Sequence, residues 1–123
     1  MPWIYHQSTG MLEYTWQHTG HHVGRGYSGA PGAINNSRME TIPFKGPIPK
    51  GRYHIGPMHH HEAKGPYVMA LTPVGHNAHN RPDLLIHGDN KQMNQTGSEG
   101  CIILPPEIRL RIGHSHDRIL HVM

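Results

Sequence analysis

The sequence predicts a mainly β fold, a small sandwich or barrel with one or two short helices. Three observations predict it. Fifteen glycines and eleven prolines are spread along 123 residues and cut the chain into short segments. The apolar runs between them are brief and rich in β-branched and aromatic side chains, which suit a half-buried pleated surface. Only one stretch carries the marks of a helix.

In chain order, strands are expected over 3–5 and 12–16, on either side of Ser8-Thr9-Gly10. That tripeptide reads as a hairpin loop with glycine at its positive-φ position. Trp3 and Trp16 are assigned to the core rather than to a sugar-stacking surface. From 20 to 42 the chain is rich in glycine and asparagine without periodicity, and is read as one long loop of the kind that carries function. Gly46-Pro47-Ile48-Pro49-Lys50-Gly51 cannot be helical, because its prolines fix φ and remove donors. It delivers the chain stiffly into a strand over 52–55. Further short strands are expected over 67–71, 84–86, 101–104 and 119–122. The helix is placed at 106–112: Pro106 suits a first turn, Glu107 complements the N-terminal dipole, and Ile108 and Ile112 share a face. Gly113 is expected to end it.

The length fits one domain, 1–123. With 35% hydrophobic residues the core is modest, and with 15% charged residues self-repulsion is too weak to keep the chain unfolded. No apolar run approaches a bilayer span, so no membrane insertion is expected. The opening Met1-Pro2-Trp3-Ile4-Tyr5-His6 has neither a charged n-region nor an apolar h-region, so synthesis in the cytoplasm without a signal peptide is expected. The formal charge is +3, but lysines and arginines are scattered and no nucleic-acid motif is present. Binding to nucleic acid is therefore not expected; attraction to another anionic polymer is as compatible with the charge.

One cysteine excludes an internal disulfide. The fourteen histidines raise a metal site as the alternative, at His59-His60-His61-Glu62, His21-His22, His76 with His79, or His114 with His116. Adjacent histidines on a strand point to opposite faces, and no HExxH or finger spacing is present. No metal or other cofactor is assigned.

The stretch from Leu84 to Leu104 carries the chemistry. A buried strand ends in His87 and a polar loop follows. The chain then turns through Ser98-Glu99-Gly100 and sets Cys101 at the mouth of a second apolar strand. Two adjacent strand ends bring an imidazole and a thiol within reach, the arrangement of a base and a nucleophile. Gly100 allows close approach of a substrate carbonyl, and the amides of Cys101 and Gly100 are the candidate oxyanion donors. The second imidazole nitrogen needs an acceptor; the Gly88 carbonyl and the Asp89 carboxylate both stand as candidates. Ser98 is read as shaping the turn or bonding near His87.

The Ile-His-Gly and Ser-x-Gly-Cys-Ile patterns resemble the L,D-transpeptidase catalytic fold. They resemble more closely the L,D-transpeptidase-like effectors of type VI secretion, through ordered blocks along nearly the whole chain. These are 5–12 with its Ser-Thr-Gly turn, Gly26-Tyr27-Ser28-Gly29 with Asn35-Asn36, 46–55, His87-Gly88-Asp89 and Ser98 to Ile102. Glu99 stands where general L,D-transpeptidases have a second histidine, and Ile103 where they often have arginine or asparagine.

The resemblance implies a peptidoglycan-modifying enzyme with catalytic Cys101, His87, Gly88 and Gly100. It places Ser98, Glu99, Asp89, Tyr27, Ser28 and Arg52 on the substrate side. Cys101 would attack the carbonyl of the third residue of a tetrapeptide stem, and D-alanine would leave, protonated through His87. Water, a D-amino acid or another stem's amine would resolve the thioester, giving trimming, exchange or a cross-link. The implied partners are peptidoglycan stem peptides, a cognate immunity protein and a component of the secretion machine. The implied place of action is a target bacterium's periplasm. A non-catalytic wall-binding module on the same fold is the alternative, opposed by the presence of both His87 and Cys101.

Overall fold

The computed structural model describes residues 2–89 and 98–123. The polar loop expected between them lies outside the described residues. The strands are β1 (Trp3–Tyr5), β2 (Met11–Trp16), β3 (Thr19–Arg25), β4 (Tyr27–Ser28), β5 (Gly51–Ile55), β6 (His59–His61), β7 (Gly65–Val74), β8 (Leu85–His87), β9 (Ile102–Ile103) and β10 (Ile119–Val122). One helix, α1 (Pro106–Gly113), lies between β9 and β10.

Among the described residues the strands form one sheet, in the order β3-β2-β1-β10-β5-β7-β8-β9-β4, with β6 also paired to β7. The outermost strands, β3 and β4, are separated in sequence only by Gly26. That residue donates to the Gly10 carbonyl at 2.8 Å, and a Cβ on it would collide with the Ile103 carbonyl. The sheet must therefore curl until its two edges meet at one glycine, although no ladder closes it.

Alternation fills the inside of the curl. Trp3 and Tyr5 pair with Leu120 and Val122 on β10 and with Tyr14 and Leu12 on β2, while Tyr53 and Ile55 alternate with exposed Arg52 and His54. These residues join Met69, Leu71, Ile86, Ile102 and the α1 residues Ile108 and Ile112 in one buried cluster. Truncating a member such as Ile102 to alanine would cost about 2–5 kcal/mol.

The strands expected from the sequence are present, and Gly10 takes the positive φ of its turn, at 76°. Three expectations are corrected. The 20–42 stretch is not one loop: it holds most of β3, all of β4 and a 3₁₀ turn at Ser37–Met39. The β3 side chains are mostly exposed, so the strand lacks an alternating apolar signal and is held by pairing with β2. Gly113 ends α1 as its last residue, but not as a left-handed cap: its φ is not positive, and a Cβ there would collide with Met58, so close packing favours glycine. Trp16 is 57% exposed near the β2–β3 turn, whereas Trp3 is in the core. No helix of the described residues is long and apolar enough to cross a membrane.

Candidate active site

The site grows out of the pairing of β8 with β9. These strands run parallel, with Ile86 opposite Ile102 and His87 opposite Ile103. Ile86 and Ile102 face the core. By strand alternation His87 and Cys101 both point to the other face, diagonal neighbours on adjacent strands. They line one cleft of about 350 Å³, together with Phe44, His61, Lys64, Asp83, Leu85, Glu99 and Gly100.

His87 is 2% exposed, and its Nδ1 lies 2.7 Å from the Gly88 carbonyl. A carbonyl only accepts, so Nδ1 carries the ring proton and Nε2 keeps its lone pair. Of the two acceptors the sequence left open, Gly88 makes this bond, while Asp89 accepts from the Tyr27 hydroxyl at 2.6 Å. Burial pushes the His87 imidazole down to about 4, with the charges of Lys64, Arg109 and His61 adding to it and the Gly88 bond opposing. The Cys101 thiol donates to the Asp83 carbonyl at 3.4 Å. Burial pushes this thiol up from its ordinary value, against the Leu85 amide and the charges of Lys64 and Arg81. At neutral pH the two groups therefore rest as thiol and neutral imidazole rather than as an ion pair.

The turn before Cys101 is fixed by three polar side chains. Ser98 Oγ accepts the amides of Gly29 and Gly100, each at 3.0 Å, and donates to the Cys101 carbonyl at 2.8 Å. Both lone pairs and the hydroxyl proton are thereby used. Ser28, fully buried, donates to the Gly100 carbonyl at 3.0 Å and accepts the Ile48 amide at 2.8 Å. Arg81 reaches four carbonyls: Pro47 at 2.6 Å, Glu40 and Gly46 at 2.9 Å, and Glu99 at 3.0 Å. Gly100 has φ 135°, and a Cβ there would collide with the Arg81 guanidinium. Glycine is required at this point for both reasons.

The residues singled out from sequence thus fall into separate places. Cys101, His87, Gly100 and Glu99 line the cleft. Gly88 supplies the imidazole's acceptor, while Ser98 and Ser28 lie beneath the Cys101 turn. Tyr27 and Asp89 line a second depression, with Arg25, Ile103 and Arg109, that shares no lining residue with the first. Arg52 lies in a third, beside Pro2, Asp117 and Arg118. Arg81 and Lys64 were not singled out from the sequence, and His61 was raised there only as a metal-ligand candidate. Among the described residues Arg81 in particular bonds only to main-chain carbonyls, which any sequence supplies.

Three other histidines make local bonds. His6 meets Glu13 at 2.8 Å, His79 meets Glu40 at 3.1 Å, and His76 bonds to the Arg52 carbonyl at 2.9 Å. Among the described residues no three His, Cys, Asp or Glu side chains are gathered as a metal would need.

A solved structure described as the Ldtfm–avibactam carbamoyl enzyme, an L,D-transpeptidase, matches with a TM-score of 0.60 and 14% identity. The match covers 99% of this chain and 48% of that one, so the chain spans about half the length of that structure. At this identity the likeness is one of fold. No curated protein matches the chain. A family model described as the Tlde1 domain matches residues 22–122, a span containing both His87 and Cys101. The chain belongs to the Tlde1 domain family, the L,D-transpeptidase-like effectors of type VI secretion.

Proposed function

We propose that the chain is a peptidoglycan-modifying cysteine enzyme that cleaves the L,D bond of tetrapeptide stems, with Cys101 as nucleophile and His87 as base. One observation carries this reading: His87 at the end of β8 and Cys101 just before the parallel strand β9 share one cleft, with the imidazole's Nδ1 bound to Gly88 and its Nε2 free to accept a proton. Because the resting pair is neutral, proton transfer accompanies attack. The Cys101 proton passes to Nε2 as sulfur bonds to the carbonyl carbon of the stem's third residue. The Gly100 amide is committed to Ser98, so the Cys101 amide is the one assigned to the oxyanion. When the tetrahedral intermediate collapses, the C–N bond breaks and His87 returns the proton to the departing D-alanine amine. A thioester remains. Water resolves it to a tripeptide stem, or a D-amino acid resolves it by exchange; both remove the donor that ordinary cross-linking uses.

Membership of a type VI effector family supports delivery into a target bacterium, and a peptidoglycan substrate fits action in its periplasm. A producing cell then needs an immunity protein. The test is mass spectrometry of disaccharide-tetrapeptide muropeptides incubated with wild type and with Cys101→Ala, with and without D-amino acids. Tripeptide or exchanged product with wild type alone supports the reading. Turnover by Cys101→Ala would sink it.

A further inference from the structure

The cleft holds charges of both signs, and they come from different segments. Asp83 and Glu99 lie on the stretches that lead into β8 and β9, whereas His61 and Lys64 belong to the hairpin joining β6 to β7. His61 is fixed by its own hairpin: its Nδ1 accepts the amides of Ala63 at 3.0 Å and Lys64 at 3.1 Å. An accepting Nδ1 leaves the ring hydrogen on Nε2, so His61 is a donor there whether neutral or protonated. Lys64 is a donor in every rotamer and, among the described residues, enters no ion pair. It lines the cleft together with His87 and Cys101, and its charge acts on both. A substrate carboxylate is attracted to this hairpin and repelled by Asp83 and Glu99.

We propose that Lys64 and His61 form a carboxylate-binding subsite that selects acyl donors bearing a free carboxylate next to the attacked bond. The proposal rests on the L,D-cleaving reading for its substrate. Two carboxylates share the required chemistry: that of the terminal residue, and that on the side chain of the stem's third residue. The subsite favours trimming of free stem ends over attack within a chain whose carboxylate is already amidated.

The first test needs no turnover. Cys101 is alkylated with iodoacetate, which carries a carboxylate, and with neutral iodoacetamide, in wild type, Lys64→Met and Lys64→Arg. Taking the ratio of the two rates cancels the change in thiolate fraction that follows loss of the Lys64 charge. Lys64 is exposed, so folding is not at risk. The wild-type ratio should exceed that of free cysteine by about fivefold, fall to the free value in Lys64→Met and persist in Lys64→Arg. A ratio unchanged in Lys64→Met overturns the subsite, even if muropeptides are turned over. A Lys64-dependent ratio without any turnover supports the subsite and sinks the L,D-cleaving reading alone. The second test compares stems amidated at the terminus or at the third side chain. Whichever amide raises KM about tenfold in wild type, and no further in Lys64→Met, identifies the carboxylate. Equal KM for all stems overturns the proposal.

Discussion

Replacing Arg81 by methionine tests how the Cys101 turn is held. The guanidinium bonds to the carbonyls of Glu40, Gly46, Pro47 and Glu99, tying the 40–47 stretch to the residue two before Cys101. The contacts to Gly46 and Pro47 are buried; those to Glu40 and Glu99 are partly so. A carbonyl orphaned in a buried place costs about 1–3 kcal/mol, and water compensates the other two in part. Arg81→Met should therefore destabilise the fold by about 3–5 kcal/mol, which lowers Tm by about 10–20 °C for a chain of this length. Arg81→Lys should recover less than half of that, because an ammonium lacks the planar fork needed to reach several carbonyls at once. Thermal unfolding measures the loss, and amide hydrogen exchange at 99–101 measures its place. Exchange there should speed more than tenfold relative to the β5 amides. A Tm within 3 °C of wild type, with unchanged exchange at the turn, would refute the bracing role.

Three further outcomes follow from the same geometry. Because the His87 imidazole is held down at about 4, below its ordinary value of 6.5, the folded state binds fewer protons than the unfolded one between those values. Its contribution is fully present above pH 6.5 and lost as pH falls toward 4, at most about 3 kcal/mol. Urea midpoints of wild type should therefore drop more steeply over that window than those of His87→Gln; parallel slopes would contradict it. The raised Cys101 thiol predicts that its alkylation by iodoacetamide has a midpoint above that of free cysteine, and a midpoint below pH 8 would contradict the neutral resting pair. Ser98→Ala strands the Gly29 and Gly100 amides and should cost about 2–4 kcal/mol in chemical denaturation; a loss under 0.5 kcal/mol would show that the turn does not depend on it.

The sequence made parts of this site legible for identifiable reasons. The His87 and Cys101 strand ends could be read because each closes or opens a short apolar run, and apolar runs of that length signal buried strands. Glycine at 100 is demanded by a collision with Arg81, yet Arg81 itself left no signal, since its partners are carbonyls of 40, 46, 47 and 99. Tyr27, Ser28 and Asp89 were named from sequence blocks, but blocks do not encode which way a strand end faces. In space Ser28 lies under the Cys101 turn, and Tyr27 with Asp89 lines a neighbouring depression. Strand β3 was invisible because its surface is polar and its order comes from the β2 ladder. His61 and Lys64 reach the cleft only because the β6–β7 hairpin folds beside it, a long-range placement that no local spacing records.

The central claim is that Cys101 becomes acylated by a peptidoglycan stem. The most direct measurement is intact-protein mass spectrometry after rapid mixing with disaccharide-tetrapeptide and acid quenching. A covalent adduct of the muropeptide less its terminal D-alanine, carried by wild type, mapped to Cys101 and missing in Cys101→Ala, is the predicted result. Product release without any adduct at Cys101, or the same adduct on Cys101→Ala, would contradict it.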